Sequence, residues 1–253
     1  WQKAKDAAQA IIDLKQYELD SDYENLFKLT GVDSKEIILS DQRLESVFGL
    51  GVIGQMYNND DAGWSSIVPT QNLVDMYEMD NGLTKEEATG YYDAKHPFAN
   101  RDPRMDMTIL YPGQEWRGKI LNYTDNASKT ALTWAKYLDP YEQYSNIWNT
   151  AACVIIFRYA EVLLSWAEAE NELNGPSDQV YNYIDQIRER VGMPKVVRTK
   201  YDTQDKLREL IRRERCVEFA GEGLRRADIL RWKDAGGKML AETLMNGDLK
   251  RIT

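Results

Sequence analysis

The stretch "RYAEVLLSWAEAENELNG", Arg158 to Gly175, decides the fold. Its apolar and alanine-rich residues recur at helical spacing, and Gly175 followed by Pro176 stops the pattern. Arg158, Glu161, Ser165, Glu168 and Glu172 step by three and four along it and share one narrow face. Two carboxyls acting on a glycosidic bond must flank it, about 5 to 9 Å apart. Neighbours on one helix face approach a substrate from the same side. The spacing therefore predicts a solvated or salt-bridged stripe on a mostly buried scaffold helix, and no catalytic pair.

Working outward, helices are expected near 154–174, 178–191, 203–221, 224–235 and 237–246, with Gly and Pro in the connectors "NGPSD" and "GMPKVV". Two helices joined by "NGPSD" make an antiparallel hairpin of tetratricopeptide dimensions, and Ala160, Ala167 and Ala169 allow close approach. In "LRELIRRERCVEFAGEGLRRADILRW" Arg and Glu alternate so densely that some must lie against the core. Glu209 and Arg213, and Arg215 and Glu218, stand at pairing distances. Gly221 and Gly223 bracket Glu222 and break the helix, and Arg225, Arg226, Asp228 and Arg231 open a new one. Arginine's planar fork satisfies buried carboxylates, so a structural network at a helix corner is expected rather than an anion site.

Upstream, residues 1–15 carry Trp1, Ala4, Ala8, Ile11 and Ile12 at helical spacing. Residues 36–40 predict a strand, and Gln42 to Ser66 predicts loop. "GLGVIG" within that loop spells a glycine-rich fingerprint at Gly49, Gly51 and Gly54. It lacks the strand–helix context and ribose-binding acid of a nucleotide site. Thr70 is placed to cap a helix that closes at Gly82, and Thr84 with Glu87 has capping-box spacing. "MTILYPG" predicts a strand and turn, and residues 122–150 are irregular and rich in aromatics.

The composition narrows the function. A net charge of -9 with no evident basic face argues against nucleic acid. No apolar run approaches the roughly 18 residues of a membrane span. Cys153 and Cys216 read as small core hydrophobes, and His96 before Pro97 as a loop residue. Two cysteines and one histidine make a zinc site improbable, and neither a metal nor a cofactor is expected. Seven Trp and 15 Tyr against 5 Phe suit surfaces that stack on polar ligands. The chain opens inside a helical pattern without a signal peptide or initiator Met, and reads as a fragment or a trimmed mature chain.

The order and spacing of RYAEVLL, AEAxNEL, IRxRxGMP and IRxERxxEFxxEGxRxxDxxRW resemble the SusD/RagB family of surface nutrient-binding lipoproteins of the Bacteroidota. "PTQNLVDMYEMDNG" and "RDPRMDMTILYPG" resemble its middle segment, and "WQKAKDAAQAIID" a helix of its early repeats. The resemblance implies a mostly α fold: a tetratricopeptide-like helical-hairpin scaffold with long irregular loops and a few short strands. It implies one domain over 1–253, with scaffold at about 1–15 and 154–246 and a loop-rich ligand-binding part at about 31–150. The family's lipoprotein signal, first helices and terminal segment are missing from this sequence. The implied activity is non-catalytic: binding an oligosaccharide or polysaccharide at the outer-membrane surface and delivering it to a SusC-like TonB-dependent transporter. Membrane contact would then run only through an N-terminal lipid anchor absent from this chain.

The family's motifs describe scaffold, so ligand residues must come from chemistry. Sugar rings offer apolar faces to flat aromatics and hydroxyls to short polar side chains. Two loop segments combine these. One holds Tyr57, Asn58, Asn59, Asp60, Asp61 and Trp64, the other Trp134, Tyr141, Tyr144 and Trp148. Tyr57, Asn58, Asp61, Trp64, Trp134, Tyr141, Tyr144 and Trp148 are the expected glycan contacts. Trp1, Trp166 and Trp232 are expected in the core, with Trp116 ambiguous. Three other readings stay open: a peptide-binding member of the same family, an all-helical glycosidase using Asp60, Asp61 or Glu142, and a tetratricopeptide adaptor.

Overall fold

A computed structural model of the chain describes residues 1–45, 47, 49, 51–122, 128–138 and 146–244, the side chain of Asp60 apart. Its elements run α1 (Gln2–Asp13), β1 (Ile37–Asp41), α2 (Val52–Met56), α3 (Gln71–Met76), α4 (Arg104–Thr108) and β2 (Ile109–Leu110). Then follow β3 (Glu115–Trp116), β4 (Lys119–Ile120), β5 (Thr133–Trp134), β6 (Val154–Arg158) and α5 (Tyr159–Asn174). Last come α6 (Asp178–Arg190), α7 (Gln204–Glu218), α8 (Arg225–Arg231) and α9 (Leu240–Leu244). The fold is mostly helical with short strands, as the sequence predicts.

Helix α5 is the spine, packed by α1, α6 and α7. Leu163, Leu164 and Ala167 of α5 meet Ile184 and Ile187 of α6 and Leu207, Leu210 and Ile211 of α7 in one dry cluster. The α5–α6 hairpin forms because Gly175 takes φ +80° and its N–H bonds to Asn171 O, while Ser177 caps α6 through Val180 N. Trp166 and Trp232 are buried, and the Trp166 indole donates to Gln9 of α1 at 2.8 Å. Trp1, expected in the core, is 54% exposed.

Several boundaries differ from the sequence reading, each for a tertiary reason. Residues 154–158 form a strand because this β-branched run pairs antiparallel with β1, Ile37 opposite Arg158 and Ser40 opposite Ile155. The helix begins only at Tyr159. Within the stretch read as loop lie the short helix α2 and a 3-10 turn at Asn59–Asp61. The helix that follows Thr70, whose side chain makes no capping bond, stops at Met76 rather than running toward Gly82, because Met79 bridges to Arg101. Thr84 and Glu87 do exchange reciprocal capping bonds of 2.9 and 3.3 Å. The segment they close is a turn.

Arg158, Glu168 and Glu172 of the polar row are ion-paired. Arg158 is a strand residue, 1% exposed. Glu168 accepts from Arg231 at 2.5 and 2.7 Å and from the Trp232 indole at 2.7 Å, and Glu172 pairs with Arg208. A larger buried network joins the scaffold to the loops. Glu218 meets Arg104, Arg158 and Arg190 at 3.1, 2.7 and 2.5 Å, and Arg158 also reaches Glu36 and Glu222. Burial alone would raise the Glu218 carboxyl; Arg190, Arg158 and Arg104 overcome it and hold the group well below the usual carboxylate range. The network is thus the structural one expected at the α7–α8 corner, with partners differing from those the spacing suggests. Arg213 approaches Glu78, and Glu209 pairs with Arg212.

Candidate functional site

The site is built on α2 and the loop that doubles back beside it. Asn58 caps the 3-10 turn by accepting from Asp61 N at 3.0 Å, and Ala62 follows in the left-handed region at φ +62°. At Gly63 a Cβ would lie 2.3 Å from Tyr57 O, so only glycine lets the chain return this closely. The returning strand then bonds Trp64 N to Gly54 O, Ser65 N to Tyr57 O and Ser66 N to Gln55 O, at 2.9 to 3.0 Å. This fold-back turns the Trp64 indole outward, 62% exposed.

Trp148 arrives from the other aromatic segment and rests on α2. A Cβ at Gly54 would lie 2.5 Å from Trp148 Cδ2, so the missing side chain is what admits the ring. The Trp64 and Trp148 ring centroids are 4.5 Å apart with planes tilted by 56°. Two segments more than eighty residues apart in sequence thus present one continuous aromatic platform.

Beside it stands an ion pair. Strands β3 and β4 form a hairpin whose turn residues Arg117 and Gly118 both have positive φ, +51° and +75°. The hairpin brings Trp116 Nε1 to 3.0 Å and Arg117 to 2.6 Å from the two carboxylate oxygens of Asp61. Asp61 is therefore an occupied acceptor that braces the loop.

The expected contacts separate accordingly. Trp64 and Trp148 come together, with Asp61 on the same loop. Tyr57 and Asn58 are 1% and 2% exposed, with Tyr57 in a core cluster and Asn58 as the turn's cap. Trp134 is 8% exposed, and the Cβ of any residue replacing Gly221 would lie 3.2 Å from its ring. These three side chains are buried in the fold and do not stand at the surface beside Trp64. Tyr141 and Tyr144 lie outside the described residues, as does Glu142. The sequence reading left Trp116 ambiguous, took Gly54 as part of a loop and did not single out Arg117. "GLGVIG" carried a signal for Gly54: a helix glycine with no phosphate to bind leaves close packing as its purpose.

Other chemistries have few residues to work with. Cys153 and Cys216 are buried and free, and His96 is exposed beside Asp93. Among the described residues no cluster of His, Cys, Asp or Glu could hold a metal ion, and no helix is long and apolar enough to cross a membrane.

Comparison with known proteins agrees with this architecture. The SusD-like protein P25 of Formosa agariphila is 35% identical over 149 residues, covering 57% of this chain and 26% of that protein. The SusD-like protein P2 of the same organism is 27% identical over 259 aligned positions, 92% of this chain and 47% of the relative. A solved SusD-like carbohydrate-binding protein from Bacteroides fragilis superposes with a TM-score of 0.81 at 31% identity, covering 92% of this chain and 48% of that one. The chain thus spans half the length of these relatives or less. The SusD family matches residues 35–248, most of the sequence, and the chain belongs to the SusD family.

Proposed function

We propose that this chain is a non-catalytic glycan-binding protein that holds an oligosaccharide or polysaccharide on the platform of Trp64 and Trp148. The exposed Trp64 indole, packed on the half-buried Trp148, carries the reading: apolar ring surface facing water is costly unless a ligand covers it. A sugar's C–H face supplies that cover, and its hydroxyls can reach polar groups of the 57–66 loop. In the cell the bound glycan passes to a SusC-like TonB-dependent transporter at the outer-membrane surface, where a lipid anchor outside this sequence holds the protein. Family membership and the carbohydrate-binding description of the Bacteroides fragilis structure support this.

A glycosidase reading finds less support. Both carboxylate oxygens of Asp61 are already engaged, by Arg117 and the Trp116 indole. Affinity electrophoresis against a glycan panel, with a reducing-end assay on the same mixtures, tests the proposal. Retardation by at least one glycan without released reducing ends is expected. Retardation by none, or release of sugar, contradicts it.

A further inference from the structure

Gly54 has two companions in "GLGVIG", Gly49 and Gly51, and all three stand where glycine's backbone freedom goes unused. None of them has a positive φ. Gly51 sits at φ -89° and ψ -11°, a conformation open to other residues, and Gly54 lies inside α2, where alanine is the better helix former. What distinguishes the three positions is therefore the space in front of them.

One turn, residues 146–149, fills that space at every position. A Cβ on residue 49 would overlap the Asn149 side-chain amide and lie 2.7 Å from that residue's carbonyl carbon. On residue 51 it would lie 3.2 Å from Trp148 O, and on residue 54 it would lie 2.5 Å from the Trp148 ring. Rotating the Asn149 amide relieves only part of the first clash, because backbone remains in the way. At residue 51 a shift of a few tenths of an ångström suffices. The turn closes on itself: Trp148 N donates to Asn146 Oδ1 at 2.9 Å and Asn149 N to Asn146 O at 3.0 Å. Its amides are thus used internally, and it meets residues 49–54 through a carbonyl, a side chain and the ring. The other indole is held differently. Backbone bonds tie the Trp64 loop to α2, and Asp61 ties it to the β3–β4 hairpin. Trp64 is set by hydrogen bonds, Trp148 by fit.

We infer that Gly49 and Gly51 are positioning residues of the glycan site: with Gly54 they form a socket for the 146–149 turn, and the seating of that turn sets the Trp148 indole against Trp64. The socket stands on the contacts themselves; its consequence for a ligand rests on the reading of the platform as a glycan site. A methyl group added at 49 or 51 acts on the ligand only through the ring it displaces. The effect is graded, larger at 49, where backbone blocks the Cβ, than at 51.

Two measurements on Gly49→Ala, Gly51→Ala, Trp148→Ala and the Gly49→Ala/Trp148→Ala pair test this. The first needs no ligand: the exciton couplet of the two indoles, taken as the circular-dichroism difference between wild type and Trp148→Ala. Gly49→Ala should lose most of it and Gly51→Ala less, with the helical signal kept. The second is affinity electrophoresis in gels cast with soluble starch, xylan, laminarin or mannan. In a gel that retards wild type, Gly49→Ala should bind about fivefold more weakly or worse. Placed in Trp148→Ala, the same substitution should change affinity by less than about twofold, because the ring it acts through is gone. A wild-type couplet in both folded glycine variants overturns the socket. So does an undiminished loss of affinity in the Trp148→Ala background. Should Gly49→Ala not fold, the couplet of Gly51→Ala decides alone: reduced supports the socket, unchanged overturns it. If none of the glycans retards wild type, the platform reading falls while the couplet still decides the socket, so the two fail separately.

Discussion

Gly54 and Trp148 share one space: a Cβ on residue 54 would lie 2.5 Å from the indole's Cδ2. The same residue's carbonyl accepts from Trp64 N at 2.9 Å. One glycine therefore fixes both halves of the aromatic platform, the first by its absent side chain and the second by its backbone.

Gly54→Ala should consequently push Trp148 off α2 while sparing the helical scaffold. The overpacking should cost about 1–3 kcal/mol. Two indoles 4.5 Å apart couple excitonically, so the far-ultraviolet circular-dichroism couplet should vanish in the variant while the helical signal stays. A couplet of wild-type strength in Gly54→Ala would show that the glycine does not position the ring.

Glu218 holds three arginines inside the protein, Arg104, Arg158 and Arg190. Glu218→Gln keeps the shape and removes the charge, leaving those cations under-compensated. Urea denaturation at pH 7 should show a loss of about 3–5 kcal/mol. The carboxyl is depressed in the folded state, so its contribution is present above the unfolded value of about 4.3 and disappears as pH falls through the folded value. The gap between wild type and variant should therefore narrow in acid. A gap below about 1 kcal/mol at pH 7, or one that widens in acid, contradicts this.

Lys136 is also depressed, but in alkaline solution and at a cost to the folded state. Its ammonium is wholly buried, and burial, opposed by Glu222, pushes it down to about 8. The unfolded chain keeps that proton to about pH 10.4. Between these values the unfolded state binds more protons, so wild-type stability should rise with pH relative to Lys136→Met, by at most about 1.4 kcal/mol per unit. Above about pH 10 the Tyr23 hydroxyl, pushed up by burial, works the other way, because tyrosine in the unfolded chain ionises first. Parallel pH profiles for the two proteins between pH 8 and 9.5, measured by urea denaturation, would refute the assignment to Lys136.

How far the sequence could be read follows from how local each signal is. The α5–α6 hairpin was legible because Gly175 and Ser177 act within their own turns. The strand at 154–158 was not, since its partner β1 lies more than a hundred residues away and the β-branched run "VIIFR" leads into the helix without a break residue. Buried arginines announced themselves by density, yet Arg158 finds Glu36 across 122 positions, a pairing that no helical spacing predicts. At the site, Trp64 and Trp148 stood out as loop aromatics. Tyr57 and Trp134 looked the same in sequence, and their burial depends on the close returns at Gly63 and Gly221.

The central claim is that a glycan lies on the two indoles, and Trp64→Ala tests it most directly. Trp64 is 62% exposed, so its removal should leave the thermal midpoint within a few degrees of wild type. Isothermal titration with the glycan that wild type retains best should show affinity lower by about tenfold or more, the loss of roughly 1.4 kcal/mol expected for one stacked aromatic. Unchanged affinity in the folded variant would contradict the account.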